Sequence, residues 1–370
     1  MEFNLSEDHQ MLADSLRRYL ADNYDIETRN AAAFEAPYHS AETWSGLAEL
    51  GVIGAFLPED QGGFGGTAED VSVIFEELGR ALCAEPVLGA LIGLRLLADA
   101  GRDELAAAVI EGRARVALAI QEPGIGCDLD PLSATARKDG DGWRLDGRKS
   151  AIYGGPGADH LLIVARIGAG GGQGGSQDGT LGLFLAETPA LIDAAMVDGG
   201  GIADLAMEDL AAECLSEDAG AAIEDALDLG RIALCAEAVG AMARLIDMTV
   251  DYLKQRNQFG RPLASFQALQ HRVVDMLVEL EQARSITIRA VADYGSDNQA
   301  RAVSMAKNLI GRAARHIAEE AIQLHGGIGM TWEYPGSHYA KRLVMIDHQL
   351  GDKNDHALRL IKLQPRKDAA

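Results

Sequence analysis

The chain has 370 residues, of which 48% are hydrophobic and 24% charged, and a formal net charge of -23. That length supports two or three domains with sizeable cores, and the composition is ordinary for a soluble globular protein. So acidic a surface repels nucleic acid and anionic lipid and excludes both as partners of the whole molecule, which leaves basic spots such as Arg256 to Arg261 to be explained locally.

Residues 1–113 read as helical. Ser6 is placed to cap a first helix that opens with Glu7 and Asp8, and Met11, Leu12, Leu16, Tyr19 and Leu20 recur at helical spacing. Pro58 to Gly66 is a glycine-rich break, and helical patterns resume from Ala68 to Arg113. The period changes near Val116. Val116, Leu118 and Ile120 alternate with small residues, as do Leu161, Ile163 and Ala165, and Leu181, Leu183 and Leu185. This pattern predicts an antiparallel β domain over 114–212. The Gly168–Gly179 tract lies between two of these strands and no helix follows it, so it reads as a flexible hairpin tip rather than a phosphate loop.

Residues 213–370 read as a bundle of long helices. Ser216 is placed as a cap, with Glu217 and Asp218 in the first turn. Leu269, Val273, Met276, Leu280 and Ala283 form one apolar stripe. Val303, Ala306, Ile310, Ala313, Ile317, Ala321 and Leu324 form another, ended by Gly326-Gly327. Cys83, Cys127, Cys214 and Cys235 form no CxxC pair, and no histidine stands at metal-ligand spacing from them. They read as reduced thiols of a cytoplasmic protein, with no metal site. Met1 to Asp14 lacks a basic region followed by an apolar core, and no uninterrupted apolar run reaches about 18 residues, so neither export nor a membrane span is expected.

Two segments carry ligand chemistry. In Arg256-Asn257-Gln258-Phe259-Gly260, the guanidinium can grip a pyrophosphate bidentately and Phe259 offers a face to an adenine or ribose. Gln267 supplies an amide in the first turn of the next helix. In Gln323-Leu324-His325-Gly326-Gly327-Ile328-Gly329, a helix ends in glycines that let a ligand approach the backbone. His325 is read as a packing or hydrogen-bonding residue.

Together with Leu234 to Gly240, Leu269 to Met276 and Gln323 to Tyr334, these segments resemble the acyl-CoA dehydrogenase family over essentially the whole chain, most closely the small subunits of heteromeric members such as pimeloyl-CoA dehydrogenase. The resemblance implies an α+β fold with an N-terminal helical domain (1–113), a middle antiparallel β domain (114–212) and a C-terminal long-helix bundle (213–370). It implies FAD as cofactor, bound at its ADP half by Arg256, Phe259, Gln267, Gln323, Gly326 and Gly327 across a subunit interface. It also implies an acyl-CoA substrate, a tetramer, and an electron-transfer flavoprotein as acceptor.

The chain departs from the family pattern on the side of the reacting atoms. Gln121 and Cys127 stand where the loop Gln121-Glu122-Pro123-Gly124-Ile125-Gly126-Cys127-Asp128 would carry Thr and Ser. Ala151 and Tyr153 stand where a Trp and a Thr would cover the flavin ring. Removing an α-proton requires a carboxylate within reach, yet the two positions where the family keeps it hold Leu350 and Gly230. Asp228, Asp347 and Asp352 are the nearest acids in sequence, and they read as helix-surface charges. The pattern predicts a base-lacking subunit that lends ADP-side contacts to a catalytic paralogue. The alternatives are a self-sufficient homomeric enzyme with a relocated base and a flavin-free assembly subunit.

Overall fold

The computed structural model describes residues 6–125, 128–168, 179–187 and 189–364. The chain forms two compact units. One comprises Asn23–Asp70 and Ala84–Gly230. The other comprises the residues up to Asp22, Val71–Cys83 and those from Arg231 on.

The N-terminal region is helical, with α1 (Glu7–Asn23), α2 (Ile26–Ala33), α3 (Ala41–Glu49), α4 (Ala68–Arg80), α5 (Val87–Asp99) and α6 (Asp103–Ile110). α1 starts where Ser6 predicts, since its Oγ accepts from the His9 backbone N–H at 3.2 Å. The Pro58–Gly66 break closes on the chain before it. Phe64 N donates to Gly54 O at 3.1 Å and Gly66 N to Ala55 O at 2.8 Å.

The middle region is a sheet of β1 (Val116–Ala119), β2 (Thr135–Asp139), β3 (Gly142–Tyr153), β4 (His160–Ile167), β5 (Thr180–Glu187), β6 (Ile192–Ala195) and β7 (Gly201–Ser216). Its order is β1-β4-β2-β3-β7-β5, with β6 added on β7 and β4 also paired to β5. Most pairings are antiparallel, as expected. Two are not: β1 runs parallel to β4, with Val116 opposite His160, and the start of β2 runs parallel to the end of β4. Alternation in sequence reports which face is buried, not the direction of the neighbouring strand, so these pairings were invisible to it. The inner face buries Leu145, Leu161, Ile163, Leu205 and Phe184, with the Trp143 ring 5.4 Å from that of Phe184. The Gly168–Gly179 tract connects antiparallel β4 and β5, where Ile167 faces Thr180; its residues 169–178 lie outside the described residues.

The C-terminal region contains α7 (Gly220–Gln255), the two-residue strands β8 (Asn257–Gln258) and β9 (Arg261–Pro262), α8 (Gln267–Asp293), α9 (Gln299–His325), α10 (Pro335–His348) and α11 (Lys353–Lys362). The expected cap at Ser216 is corrected. β7 runs on to Ser216, whose Oγ accepts from Asp218 N at 3.3 Å, and Glu217 and Asp218 sit in the turn ahead of α7. From Ala226 to Ala243, α7 is buried on every side, and this stretch is mostly apolar but also buries Asp228, Arg231 and Glu237. The α9 stripe is buried at every predicted position, while that of α8 is buried at Met276, Leu280 and Ala283. α4 crosses α7 through two glycines. A Cβ at Gly79 would collide with Glu237 O, and one at Gly240 with Glu76 O. The same glutamates hold ion pairs, Glu237 with Arg342 at 2.6 Å and Glu76 with Arg284 at 2.8 Å.

Candidate functional site

Arg256 is the first residue beyond α7, its N–H donating to Tyr252 O at 2.8 Å, and its side chain is exposed. The chain then folds back on itself. Asn257 pairs with Pro262 and Gln258 with Arg261, so Phe259 and Gly260 form the turn at φ 53° and 80°. Two successive positive φ values match the hairpin turn whose twist suits the flanking strands, although Phe is an unusual occupant. Phe259 is 89% exposed. Its ring meets Phe266 edge-on at 6.1 Å, and the Arg261 guanidinium lies 4.0 Å from the Phe266 centroid. Phe266 is therefore the aromatic platform on which the segment rests, and exposed Gln267 opens α8 directly after it.

The second segment is fastened to the first through Tyr252. His325, the last residue of α9, lies 4.7 Å from the Tyr252 ring. His325 Nδ1 donates to Ala321 O at 2.7 Å, and Nε2 accepts from the Tyr334 hydroxyl at 2.6 Å. Burial holds the imidazole below its usual pKa and so favours the neutral ring, and Ala321 O, which can only accept, places the proton on Nδ1. His325 thus packs and bonds within the fold, as expected. Gln323 remains exposed. Gly326 caps α9 at φ 68°, and neither it nor Gly327 would bring an added Cβ within 4 Å of anything, so both offer open backbone. Gly329 differs: a Cβ there would strike His325 and Ile322, so its glycine serves packing. The structure therefore brings Arg256, Phe259 and Gln267 into one segment and Gln323, Gly326 and Gly327 into a second, linked by a tyrosine–histidine–tyrosine contact.

In the other unit, the residues expected on the flavin-ring side serve local structure. Glu122 is buried and forms an ion pair with buried Lys149 at 2.7 Å. It also accepts from Ser133 N at 2.8 Å, Ser133 Oγ at 2.7 Å and Ala134 N at 2.9 Å. Burial alone would raise its pKa, but Lys149 and these donors bring it below the usual value. Asp128 accepts from Asp130 N at 3.2 Å. Gln121 O accepts from Ser150 N at 2.9 Å, and Cys127 lies outside the described residues. Ala151 sits at φ 51° in the bulge where β3 slips against β7, its N–H donating to Asp204 Oδ1 at 3.1 Å.

The turn between α10 and α11 holds Leu350 at φ 54° and Gly351 at φ 100°. Three buried side chains from three helices converge on its carbonyls. Lys307 Nζ of α9 donates to Ile346 O at 2.8 Å and Gln349 O at 2.8 Å. Arg231 Nε of α7 reaches Leu350 O at 3.2 Å, and His356 Nε2 of α11 reaches the same oxygen at 3.1 Å. Burial, reinforced by the charges of Arg231 and Lys307, holds the His356 pKa down to about 2. Sequence reasoning missed this clamp. The signal was a lysine on an apolar stripe, Lys307 lying between Val303 and Ile310.

Two nearby acids are already engaged. Asp347 pairs with Lys353 at 2.9 Å and takes its N–H at 3.0 Å, and Asp352 caps α11 in a reciprocal capping box. They are structural groups rather than the solvated surface charges expected. Asp228 is buried, not exposed as read from its position on the helix. Among the described residues, no group of three or more His, Cys, Asp and Glu is arranged to hold a metal, and no helix is long and apolar enough to cross a membrane.

Comparison with known proteins gives one answer. Residues 6–116 match the N-terminal domain of acyl-CoA dehydrogenases and residues 219–348 their C-terminal domain. The chain is 32% identical over 338 residues to acyl-CoA dehydrogenase IpdE2 of Mycobacterium tuberculosis, covering 91% of each chain. Among solved structures, a variant of the Tcur3481-Tcur3483 steroid ACAD superposes with a TM-score of 0.87 at 30% identity, covering 96% of this chain and 97% of that one. The FAD complex of PigA superposes with a TM-score of 0.85 at 26% identity, covering 98% of each. The helical, β and helical regions in that order are this family's fold, and the acyl-CoA dehydrogenases are oxidoreductases acting on CH–CH groups. The chain belongs to the acyl-CoA dehydrogenase family.

Proposed function

We propose that this chain is the base-lacking subunit of a heteromeric, FAD-dependent acyl-CoA dehydrogenase, of the kind represented by the small subunit of pimeloyl-CoA dehydrogenase. In this reading it lends Arg256, Phe259, Gln267, Gln323, Gly326 and Gly327 to the ADP half of FAD held by a paralogous partner, within a tetramer of two chains of each kind. The observation that carries it is a contrast in the chain's own residues. Arg256, Phe259, Gln267 and Gln323 are exposed beside open glycine backbone, whereas Glu122, Asp128, Asp347 and Asp352 are engaged in local structure and residues 230 and 350 bear no acid.

The exposed set fits the diphosphate and adenosine end of FAD. The planar guanidinium of Arg256 bonds a pyrophosphate bidentately, the Gly326–Gly327 backbone admits close approach, and Phe259 lies against an adenosine face. Ala151 covers too little area to shield a flavin ring. When bound, FAD supplies the acceptor for the hydride that leaves the acyl β-carbon. The partner supplies the base and the ring pocket, and an electron-transfer flavoprotein takes the electrons in a cytoplasmic enzyme. Similarity to a steroid ACAD named for two chains together favours a bulky acyl-CoA and a paired assembly.

The test is co-expression with a paralogue that carries a carboxylate at the position of Leu350 or Gly230. Arg256→Ala should lower the flavin-to-protein ratio of the purified complex severalfold. An unchanged ratio rejects the reading. A chain that is yellow when purified alone and bleaches with an acyl-CoA favours a relocated base instead, with buried Asp228 the acid to examine.

A further inference from the structure

We infer that Glu85 is a proton-operated latch within its compact unit. With its carboxyl neutral it fastens the segment that starts at Asn23 to the segment that starts at Ala84, and ionisation of the carboxyl loosens them. The latch belongs to this chain alone and does not depend on which chain holds the flavin.

Glu85 lies in the link between α4 and α5, and only 7% of it is exposed. Its oxygens reach across to the other segment. Both accept from the Ser40 backbone N–H at the start of α3, at 3.2 and 3.1 Å, and one accepts from the Tyr24 hydroxyl at 3.4 Å. The Tyr24 oxygen in turn accepts from Ala84 N at 3.0 Å. One amide and one long hydroxyl contact are few partners for a buried carboxylate, which has about four acceptor sites.

The other buried glutamates among the described residues set the contrast. Glu77 pairs with Arg17 at 2.6 Å, Glu122 with Lys149 at 2.7 Å and Glu237 with Arg342 at 2.6 Å. Each has a cation to offset its burial. Glu85 has none in contact, because the cations that face it are engaged elsewhere. Arg29 of α2 donates to Asn30 Oδ1 at 2.8 Å and to Asp198 O. Arg115, ahead of β1, donates to His39 Nε2 and stands 3.8 Å from Asp159. His39 brings no charge: its Nδ1 donates to Pro37 O at 3.0 Å, and burial lowers its pKa. Burial therefore raises the Glu85 pKa to about 7, against the Ser40 and Tyr24 bonds and the charges of Arg115 and Arg29.

The carboxyl ionises near 4.5 when the contact is open and near 7 when it is closed. Between those values the closed form binds a proton that the open form lacks. The latch is therefore tightest below pH 4.5 and weakens as pH rises through 7. A neutral carboxyl keeps the Ser40 bond through its carbonyl oxygen and needs no counter-charge. Loosening also reaches the sheet. Pro86, next in the chain, packs on Gly154, where an added Cβ would stand 2.8 Å from the Pro86 Cβ. Gly154 directly follows Tyr153 at the end of β3, so a shift of the link is felt beside Ala151 and Tyr153.

The experiment measures hydrogen exchange at the Ser40 and Ala84 amides of the full chain at pH 6 and pH 8, as protection relative to the unfolded rate. Protection in the wild-type chain should be about tenfold lower at pH 8. Glu85→Gln keeps the shape and does not ionise, so its protection should be the same at both pH values. Titration of His39 acts in the opposite sense, since a lowered pKa costs stability as pH falls. Equal protection at the two pH values in the wild-type chain, or a rise toward pH 8, overturns the latch, and that comparison needs no variant. An equal fall in Glu85→Gln also overturns it, by placing the titrating group elsewhere.

Discussion

The hairpin at Phe259 and the turn at Leu350 share one backbone peculiarity and treat it in opposite ways. Each places a large non-glycine residue at nearly the same left-handed φ, 53° and 54°. At Leu350 the strain is over-determined from within: Lys307, Arg231 and His356 reach its turn from three helices, and all three side chains are buried. At Phe259 the hairpin has a two-residue ladder, and the ring meets Phe266 edge-on with 89% of the residue exposed. A strained residue persists when its surroundings fix it. The Leu350 turn is complete as it stands. The Phe259 hairpin rests on its short ladder and one ring contact, and on the function proposed above a bound cofactor would finish it.

The comparison can be broken by removing the clamp. Lys307→Met strips the donor from buried carbonyls at the end of α10 and should cost about 3 kcal/mol of unfolding free energy by chemical denaturation. A loss under about 1 kcal/mol would show that the turn does not depend on it.

A second test uses pH. His356 titrates near 6.5 when unfolded and near 2 in the fold, so below pH 6.5 the unfolded chain binds a proton that the folded chain refuses. The stability that neutral His356 contributes is full above pH 6.5 and is lost as pH falls toward 2. His356→Gln keeps a donor for Leu350 O without titrating, and should flatten the acid limb of the stability profile. An unaltered limb would place the titration elsewhere.

Glycine substitutions sharpen the contrast. Leu350→Gly relieves the left-handed penalty and should raise stability by about 1 kcal/mol, measured as a rise in denaturant midpoint at constant slope. Phe259→Gly should gain less, since it also gives up the contact with Phe266. Arg256→Ala, at an exposed position, should stay within about 0.5 kcal/mol of wild type in thermal unfolding. A larger loss there would mean that Arg256 supports the fold as well as a ligand.

Legibility in the sequence followed the range of the forces involved. The α9 stripe from Val303 to Leu324 was readable because helical period and burial coincide at every position. The cap at Ser6 was readable because it acts over three residues, whereas that at Ser216 misled because β7 continues through a polar stretch and places the same hydroxyl in a turn. The parallel pairing of β1 with β4 joins strands far apart in the chain, and no local pattern encodes it. The exposed candidate residues stood out as short motifs. The clamp did not: Lys307 on the α9 stripe was its one local signal, and the carbonyls it serves belong to a distant turn that no local pattern ties to it.

The crossing of α4 and α7 has a consequence for how this unit tolerates change. There the helices meet main chain to main chain, a glycine hydrogen against a carbonyl oxygen at Gly79 and again at Gly240. Neither group has rotamers, so the spacing has a single solution where a crossing filled by side chains would have several. It serves as a fixed datum, and the pairs Glu76–Arg284 and Glu237–Arg342 are set by the same two glutamates whose carbonyls define it. One methyl group added at either glycine would meet a carbonyl oxygen at 2.0 or 1.9 Å, so the datum has to move, and the glutamate struck carries its ion pair with it.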